Sequence, residues 1–594
     1  MAQSPLNRNR LFDGDFSFKE GVQSDLHPSM LSPNSISWGI NTVNSDGTIE
    51  TRPGYRSLAA FGTGKAQGMT LFQPTNGSIS MVVAISGKIW VSPYPFDTWT
   101  RLNNIQFDPY VDHICFKDAV QTLVNGTIVP TLAVLIMQDG MSQPAFWDGS
   151  NNRHLLPGGN TNETVQGLWM EWIGQRLWVA RGNEVFASDL YDPLHFTETL
   201  YLAEGGSLQP LDGKTVTALA RTADQKSLLV FTEDNTTTVA ASITDRTQWK
   251  TTANFISLLF PGVGCVSGVG YCYLNGELWW FSREGVRRFV QVALELLVSK
   301  NNLASNAMVR SFSNLSPCLS RACAFSFRTF TGFSVPSGDI LNRHTWVSDT
   351  TATDSGKTSD ENWNGVWMGT RPVQWSTGVI NGKDRCFHLS QDRIGGIHVW
   401  EAFNWYDKSD DDGLIFCSTE TRGLLFKEPF TFKRFKYTDI HLEKILGEVD
   451  FTAEYRGDYG CWKKILDIKL CAQECRQLEC TNQNGASDHQ SRYLRTQDSK
   501  PDCVNNQGPY SNDVGTFFQN RFRWRGETAL LKFRSQADQW QEPAMGACEK
   551  GDVDSKGDLI CKESFCCDME VDYISISNKH PYGYGSAFSI EGSI

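Results

Sequence analysis

Residues 174–186 read GQRLWVARGNEVF and residues 275–289 read NGELWWFSREGVRRF, so the two stretches match almost position for position. In each stretch a turn precedes a short apolar strand that contains Trp, and a second Gly-containing turn leads into another apolar strand. Two such strands joined by a short turn are typical of a β-hairpin. The repeat therefore predicts a chain built from Trp-bearing hairpins.

Weaker copies of this hairpin recur at 81–91, 132–147, 228–239, 322–335 and 397–403. Successive equivalent points in the copies lie 44 to 52 residues apart; they are Val82, Leu132, Arg176, Leu228, Leu278 and Ala322. Repeats of about 40 to 50 residues, with about four strands each, are typical of β-propeller blades. We therefore expect an all-β protein with a β-propeller, and an irregular β-sandwich is the alternative.

The composition favours β-structure and limits the possible partners. Gly supplies 51 of the 594 residues and aromatic residues 12 %, and long runs of strong helix formers do not occur. The formal charge of −12 argues against a protein that grips nucleic acid through clustered Lys and Arg. It is compatible with nucleic acid that passes without being held, because a neutral or acidic wall does not retain a polyanion.

The first 56 residues predict an extended N-terminal arm. They are interrupted by Pro5, Pro28, Pro33 and Pro53, which break regular structure into short pieces. Within the arm, Asp46-Gly47 lies between two short strand-like segments and predicts a tight hairpin turn. An arm of this kind needs a partner surface on which to lie.

The rest of the chain divides in two. Residues 57–425 carry the repeats and predict the propeller, with a polar insertion near 336–375 that reads as a long surface loop. Residues 426–594 predict a smaller, cysteine-rich C-terminal β-domain. The N-terminus lacks the apolar core of a secretory signal, and a run of about eighteen apolar residues is missing. We therefore expect synthesis in the cytosol and no membrane-spanning segment.

Nine of the 16 cysteines fall between Cys461 and Cys567. Disulfides, free thiols and a zinc site are the possible interpretations; the paired CxxC knuckles typical of zinc are missing, and a cytosolic origin opposes disulfides. The run from Asp552 to Glu563 imitates a calcium loop, with acids at its first, third and twelfth positions. Lys556 occupies a position that needs an oxygen ligand, so an exposed turn is favoured. The segment 407–413 is a poorer imitation.

Local motifs do not indicate an enzyme. The segment 62–65, GTGK, lacks the other residues of a phosphate loop, and the ten His are scattered singly. Arg456-Gly457-Asp458 is too short to mean more than a turn, and the alternation from Phe426 to Tyr437 favours a strand over nucleotide stacking. We therefore assign no catalytic, cofactor-binding or metal-binding residue. Paired carboxylates that are distant in sequence, as in glycoside hydrolysis, stay open.

Several short motifs occur together between residues 12 and 193. They are Phe12-Asp13-Gly14, LHPSMLSPN at 26–34, Asn41, TRPG at 51–54, RLWVA at 176–180 and SDLYDP at 188–193. In this combination the chain resembles the tail nozzle subunits, or tail tubular proteins, of short-tailed bacteriophages. The resemblance covers roughly residues 10–300, and the cysteine-rich C-terminal part departs from it.

The resemblance implies a structural virion protein without catalytic residues or cofactor. It implies a β-propeller subunit in a homohexameric ring below the portal and tail adaptor, beside tail fibres or spikes. Genomic DNA would leave through the ring without specific binding, and the protein would be made and assembled in the host cytoplasm and reside in the virion tail. The alternatives are a tail adhesin or depolymerase that binds host surface polysaccharide, and a cellular propeller scaffold.

Overall fold

The structure, a computed structural model, describes residues 10–539 except 125, 157–162, 198–206, 209, 211, 292–298, 304, 313, 351–361, 407, 412, 459, 472–489 and 496–513. The chain forms two compact units. The propeller unit is Arg52–Ile415, and the terminal unit combines residues up to Thr51 with those from Phe416 onward. Strands dominate both, and the described helices are single turns such as Val309–Phe312.

The strands before the propeller unit are short. They are β1 (Arg10–Asp15), β2 (Gly21–Val22), β3 (Ser35–Ile40), β4 (Thr42–Ser45) and β5 (Thr48–Thr51). Strands β4 and β5 form the predicted hairpin, with Ser45 opposite Thr48. Asp46 and Gly47 have φ angles of 50° and 81°, the left-handed pair that a type I′ turn requires, so the Asp-Gly prediction is confirmed.

Thirty strands follow in the propeller unit. The first half is β6 (Gly54–Thr63), β7 (Ala66–Phe72), β8 (Ser80–Ile85), β9 (Lys88–Pro93), β10 (Thr100–Gln106), β11 (Cys115–Val124), β12 (Thr127–Gln138), β13 (Ala145–Trp147), β14 (Asn152–His154), β15 (Trp169–Ile173), β16 (Arg176–Arg181), β17 (Glu184–Ala187), β18 (Ser207–Leu208), β19 (Ala218–Arg221), β20 (Leu228–Phe231), β21 (Thr236–Val239) and β22 (Ile256–Phe260). The second half is β23 (Tyr271–Leu274), β24 (Glu277–Ser282), β25 (Gly285–Gln291), β26 (Ser299–Leu303), β27 (Cys323–Phe327), β28 (Phe330–Pro336), β29 (Asn342–Asp349), β30 (Asn362–Trp367), β31 (Pro372–Ile380), β32 (Lys383–Gln391), β33 (Gly396–Asn404), β34 (Ser409–Asp410) and β35 (Gly413–Leu414).

These strands form a β-propeller, as the repeat predicted, and the β-sandwich alternative is wrong. Five four-stranded sheets are successive antiparallel meanders, from β7–β10 to β23–β26, and a sixth sheet contains β31–β33, β6 and the pair β34–β35. Strands β27–β30 repeat the meander between them. The first strand of each meander lies beside those of its neighbours, and β31 lies beside β7, so the ring closes.

The last sheet takes strands from both ends of the unit. Strand β6 pairs antiparallel with β33, and Asp410 of β34 pairs with Tyr55 of β6. Opening the ring therefore requires breaking a main-chain ladder as well as side-chain packing. This pairing also protects the outer edge of β33, which would otherwise be exposed.

The two stretches that predicted the fold are the hairpins β16–β17 and β24–β25. Their Trp178, Trp279 and Trp280 are buried, and Trp178 and Trp280 belong to apolar clusters shared with neighbouring sheets. Five of the six equivalent points fall on the second strand of a sheet. Ala322 instead precedes β27, which is a first strand. It looks equivalent in the sequence because the hairpin of strands one and two has the same apolar pattern as the hairpin of strands two and three.

The insertion expected near 336–375 is interrupted by regular structure. Strands β29 and β30 of a meander lie within it, and Trp346, Trp363 and Trp367 on these strands are fully buried. Polar residues such as Thr345 and Asn364 between the tryptophans hide the strand pattern in the sequence, although they too are buried. Residues 351–361, the most polar part, lie outside the described residues.

The terminal unit continues after the propeller with six strands. They are β36 (Phe416–Thr421), β37 (Lys433–Gly457), β38 (Lys463–Cys471), β39 (Gln490–Arg495), β40 (Val514–Gly515) and β41 (Phe518–Gln539). The long strands β37 and β41 pair antiparallel, with several register shifts that let the sheet curl. Phe451, Phe522 and Phe533 are buried in it. The strand predicted from Phe430 begins only at Lys433, and Phe430 is exposed.

The expected arm is not a separate element. Strand β1 pairs with β41 over six residues, β3 pairs with β36, and β5 pairs with β41. Pro28 begins a single-turn 3-10 helix and Pro33 lies in the turn before β3, so these prolines separate strands without interrupting their ladders. Sequence alone could not supply the partner, because β41 begins more than 450 residues further along the chain.

Candidate functional site

Polar side chains from three sheets meet near the propeller axis, which the first strands line. Lys117 of β11 forms an ion pair of 2.6 Å with Glu171 of β15, and Glu171 is 1 % exposed. Tyr271 of β23 donates a hydrogen bond of 3.3 Å to the other carboxylate oxygen of Glu171. Burial, and then the charge of Glu171, raise the pKa of Tyr271 well above its usual value. The axis is therefore occupied by side chains that satisfy one another.

A thiol lies beside this group without being activated. Burial raises the pKa of Cys115 to about 11, although the nearby Lys117 acts in the opposite direction. At neutral pH the thiol is therefore protonated and is a poor nucleophile. The Lys117–Glu171 pair already uses the one ammonium and the one carboxylate that could serve as acid and base there, so the arrangement holds structure together.

One end of the axis is crossed by the segment before β11. His113 contacts Ser320 O through Nε2 at 3.2 Å and packs its ring at 5.7 Å from that of Trp169. Burial lowers the pKa of His113 despite the neighbouring carboxylate of Asp112, so the imidazole is neutral. Ser320 lies before β27, on the far side of the ring from β11. The segment therefore reaches from β11 to the turn before β27 at the end of the propeller where the first strands begin, which we call the strand-start face.

The strand-start face also carries a group of positive charges. Asp112 binds Lys65 at 2.7 Å and Arg321 at 2.9 Å. Asp339 binds Arg393 at 3.1 Å, and Arg371 approaches the same carboxylate oxygen at 3.6 Å. Burial, and then the charges of Arg371 and Arg393, lower the pKa of Arg343. We call Arg321, Arg343, Arg371 and Arg393 the arginine cluster.

The fold brings these arginines together from distant parts of the sequence. Arg321 and Arg371 directly precede first strands, and Arg393 lies in the turn between β32 and β33. Arg343 is the second residue of β29, which begins at the same face because antiparallel strands return to it. No local motif marks these residues, because they lie 22 or 28 positions apart. In the sequence, a basic residue just before the first strand of two consecutive repeats is the pattern from which the arginine cluster could have been predicted.

The motifs that resemble the phage tail proteins act as structural anchors. Arg422 binds Asp13 at 2.7 Å and Asp15 at 2.8 Å within the terminal unit. In the propeller unit, Arg176 and Arg246 donate to Ser188 O at 2.7 and 2.9 Å, holding the turn that contains the SDLYDP motif. These contacts explain why the motifs contain charged residues in otherwise apolar surroundings.

The rejected motifs are also structural where they can be seen. Asp458 of the RGD tripeptide accepts hydrogen bonds from Thr516 N and Phe517 N, which fixes a turn. Within 407–413, Asp410 binds Arg52 and Asp411 accepts from Ser57 N, so both carboxylates have protein partners. The calcium-like run from 552 to 563 lies outside the described residues.

The described cysteines include free thiols and a disulfide-bonded residue. Seven are free thiols: Cys115, Cys265, Cys272, Cys318, Cys323, Cys386 and Cys417. Cys461 is disulfide-bonded, which supports the disulfide interpretation at that position. Of the other cysteines of the rich segment, Cys471 is the last residue of β38, and those from Cys475 onward lie outside the described residues. Over the described part of the chain, no cluster of three His, Cys, Asp or Glu side chains could hold a metal ion. Nor does that part contain a helix long and apolar enough to cross a membrane.

No protein-family model matches the sequence, and no curated protein matches it. Among solved structures, BBS1N in complex with ARL6DN is similar over 59 % of this chain and 98 % of that chain, at 10 % identity and a TM-score of 0.36. The extracellular domain of the one-component system BT4673 from B. thetaiotaomicron is similar over 74 % of this chain and 59 % of that chain, at 11 % identity and a TM-score of 0.34. Similarities of this size carry no functional information. The chain is therefore defined by its own architecture, a β-propeller unit and a second β-rich unit built from both ends of the sequence.

Proposed function

We propose that this chain is a structural subunit of a phage virion and forms the distal tail conduit, or nozzle, below the portal and adaptor. The observation that carries the proposal is the role of the residues that resemble nozzle subunits. Asp13 of the first motif binds Arg422, and Arg52 of the TRPG motif binds Asp410, so each motif ties together distant parts of its own unit. The resemblance therefore falls on residues that hold each unit together.

The conduit of this proposal lies between copies and not inside one propeller. The axis of each propeller holds the Lys117–Glu171 pair and Tyr271, and the segment with His113 crosses one end. DNA would therefore pass through a channel enclosed by a ring of subunits, for which the resemblance implies six copies. Each copy has a formal charge of −12, and acidic walls would let the polyanion slide without being retained.

A structural role also fits the chemistry of the buried groups. Burial raises the pKa of the thiols of Cys265, Cys272 and Cys323 to about 12, which keeps them protonated. The acid and base near the axis are paired with each other. In the proposal the protein therefore acts by shape and charge and is not an enzyme.

Labelling the protein on intact virions tests the proposed location. Antibodies against the recombinant chain, detected with gold particles by electron microscopy, are expected at the tail tip on the tail axis. Antibodies against the capsid protein provide the control for specific labelling. Label on lateral projections would overturn the conduit and favour the adhesin. If purified protein also shortened host polysaccharide, the depolymerase alternative would replace the proposal.

A further inference from the structure

We propose that the arginine cluster on the strand-start face is a binding site for a phosphate group. The proposal goes beyond the conduit and does not depend on it, because all the residues lie within one propeller unit. It rests on the arrangement of Arg343, Arg371 and Arg393 around Asp339, and on the charge that this arrangement leaves uncompensated.

The geometry brings several guanidinium groups to one point. Arg371 and Arg393 both approach a single oxygen of Asp339 through Nε, at 3.6 and 3.1 Å. Arg321 joins them from the neighbouring turn, where it donates to Ile340 O at 3.4 Å. A guanidinium group has five N–H donors, so each arginine keeps donors that these contacts do not use.

Arg343 completes the cluster, and the carboxylate whose charge acts on it is that of Asp339, which Arg371 and Arg393 also approach. Within the residues that the structure describes, its side chain forms no hydrogen bond or ion pair. The carboxylate of Asp339 is engaged by Arg393 and Arg371, and Asp392 accepts from Ile394 N and Gly396 N at 2.9 and 2.7 Å. Arg321 is paired with Asp112, so the other three arginines of the cluster face two carboxylates, and one of those two, Asp392, is occupied by main-chain donors.

The local excess of positive charge affects the arginines themselves. After burial, the charges of Arg371 and Arg393 are what lower the pKa of Arg343. Like charges held this close cost free energy, which a bound anion would offset.

Phosphate is the ligand class that fits this arrangement. The planar guanidinium fork binds oxyanions through two parallel hydrogen bonds, and such bonds are among the strongest in proteins. Several forks around one point suit a compact tetrahedral anion with more than one charge. The site is reachable from solvent, because the side chain of Arg393 is 56 % exposed while that of Arg371 is 23 % exposed.

Calorimetric titration of the full-length protein with inorganic phosphate, at constant ionic strength in chloride buffer, tests the site. We expect saturable binding to a single site. Replacing one arginine removes charge-assisted hydrogen bonds, so Arg343→Gln and Arg393→Gln should each weaken binding by about tenfold or more. Arg343→Lys keeps the charge without the fork and should restore only part of the affinity.

Arg328→Gln provides the matched control. Arg328 is 55 % exposed, similar to Arg393, but it lies in the β27–β28 turn at the opposite end of the strands. The control should bind phosphate like the unmodified protein. Absence of saturable binding, or equal loss in Arg393→Gln and Arg328→Gln, would overturn the proposal. Arg393 is exposed enough for its substitution to leave folding intact, so the test stands even if Arg343→Gln misfolds.

A competition arm identifies where the phosphate comes from. A short single-stranded oligonucleotide is titrated with and without inorganic phosphate. If inorganic phosphate weakens oligonucleotide binding to the unmodified protein, and this effect is absent in Arg393→Gln, the site binds the phosphodiester groups of a nucleic acid. An oligonucleotide that does not compete, together with saturable phosphate binding, would assign it to the free ion. Both results support a phosphate site.

Discussion

The guanidinium group of Arg52 donates two hydrogen bonds to the carboxylate of Asp410, at 2.9 and 2.6 Å. Arg52 is the first residue of the propeller unit and Asp410 lies five residues before its end, so this pair joins the two ends of the ring. Asp410 also accepts from Tyr55 N, at 3.2 Å, next to the ladder between β6 and β33. The ion pair between Arg52 and Asp410 therefore lies next to the main-chain ladder that closes the propeller ring.

Asp410→Asn should destabilise the propeller. Arg52 is 0 % exposed and would keep its charge without a carboxylate, and removing one partner of a buried pair costs about 3 kcal/mol. Urea unfolding, followed by Trp fluorescence, measures the loss. Asp384→Asn is the control, because Asp384 and its partner Arg328 are both more than half exposed and are 3.6 Å apart. Equal midpoints for the two variants would contradict the proposed role of the closing pair.

His388 should make the propeller sensitive to acid. Its ring lies 4.4 Å from that of Trp375 and 5.0 Å from that of Tyr55, and within the described residues neither ring nitrogen has a hydrogen-bond partner. Burial, and then the charge of Arg52, lower the pKa of His388 to about 3. The unfolded chain takes up a proton below about pH 6.5, so this contribution to stability is complete above that pH and falls toward pH 3.

Replacing this imidazole with an apolar ring tests the effect. In His388→Phe, the free energy of unfolding should fall less steeply between pH 6 and pH 4, by about 1.4 kcal/mol per pH unit, because one titrating group is removed. Urea titrations at several pH values measure the slope. Parallel pH curves for the variant and the unmodified protein would show that His388 does not contribute.

Gly268 should not tolerate a side chain. A Cβ atom at this position would lie 2.1 Å from the ring of Trp169, and that ring packs on His113 at the strand-start face. Overpacking of this kind costs about 1 to 3 kcal/mol, so Gly268→Ala should lower the thermal midpoint and change the near-UV signal of Trp. Gly77→Ala, where the nearest atom is 3.4 Å away, should leave both unchanged. A normal midpoint for Gly268→Ala would contradict the described packing of Trp169 against Gly268.

The cysteines should differ in their reactivity. Cys265, Cys272 and Cys323 are buried, and burial raises the pKa of each thiol to about 12, so iodoacetamide should not modify them in the native protein. Cys318 is only partly buried and should react first among the free thiols. Cys461 should react only after reduction and unfolding. Peptide mass spectrometry measures each site, and rapid native labelling of Cys272 would contradict the described packing.

The local elements of the fold were predictable, whereas their long-range partners were not. The hairpins that contain Trp178 and Trp280 were predictable because the alternating apolar pattern and the turn both lie within a few residues of each Trp. Asp46-Gly47 fixes its own turn through backbone conformation. The pairing of β1 with β41, and of Arg52 with Asp410, depends on residues hundreds of positions away, and one sequence contains no signal for such contacts.

The arginine cluster shows the same limit for the candidate site. Arg321, Arg343, Arg371 and Arg393 look like separate surface charges in the sequence, and only the shared direction of the first strands brings them to one face. The overall charge of −12 argues against clustered Lys and Arg that grip nucleic acid. Charge that is averaged over a chain says little about a local field.

A symmetry-resolved electron microscopy reconstruction of the virion tail separates the proposed conduit from its alternatives. If the chain forms the conduit, the map will show a sixfold ring of this chain, coaxial with the tail, with an open channel between the subunits and the individual propeller axes filled. The channel wall should be neutral or acidic. A trimer that projects from the side of the tail, or a ring with a strongly basic channel wall, would contradict the account.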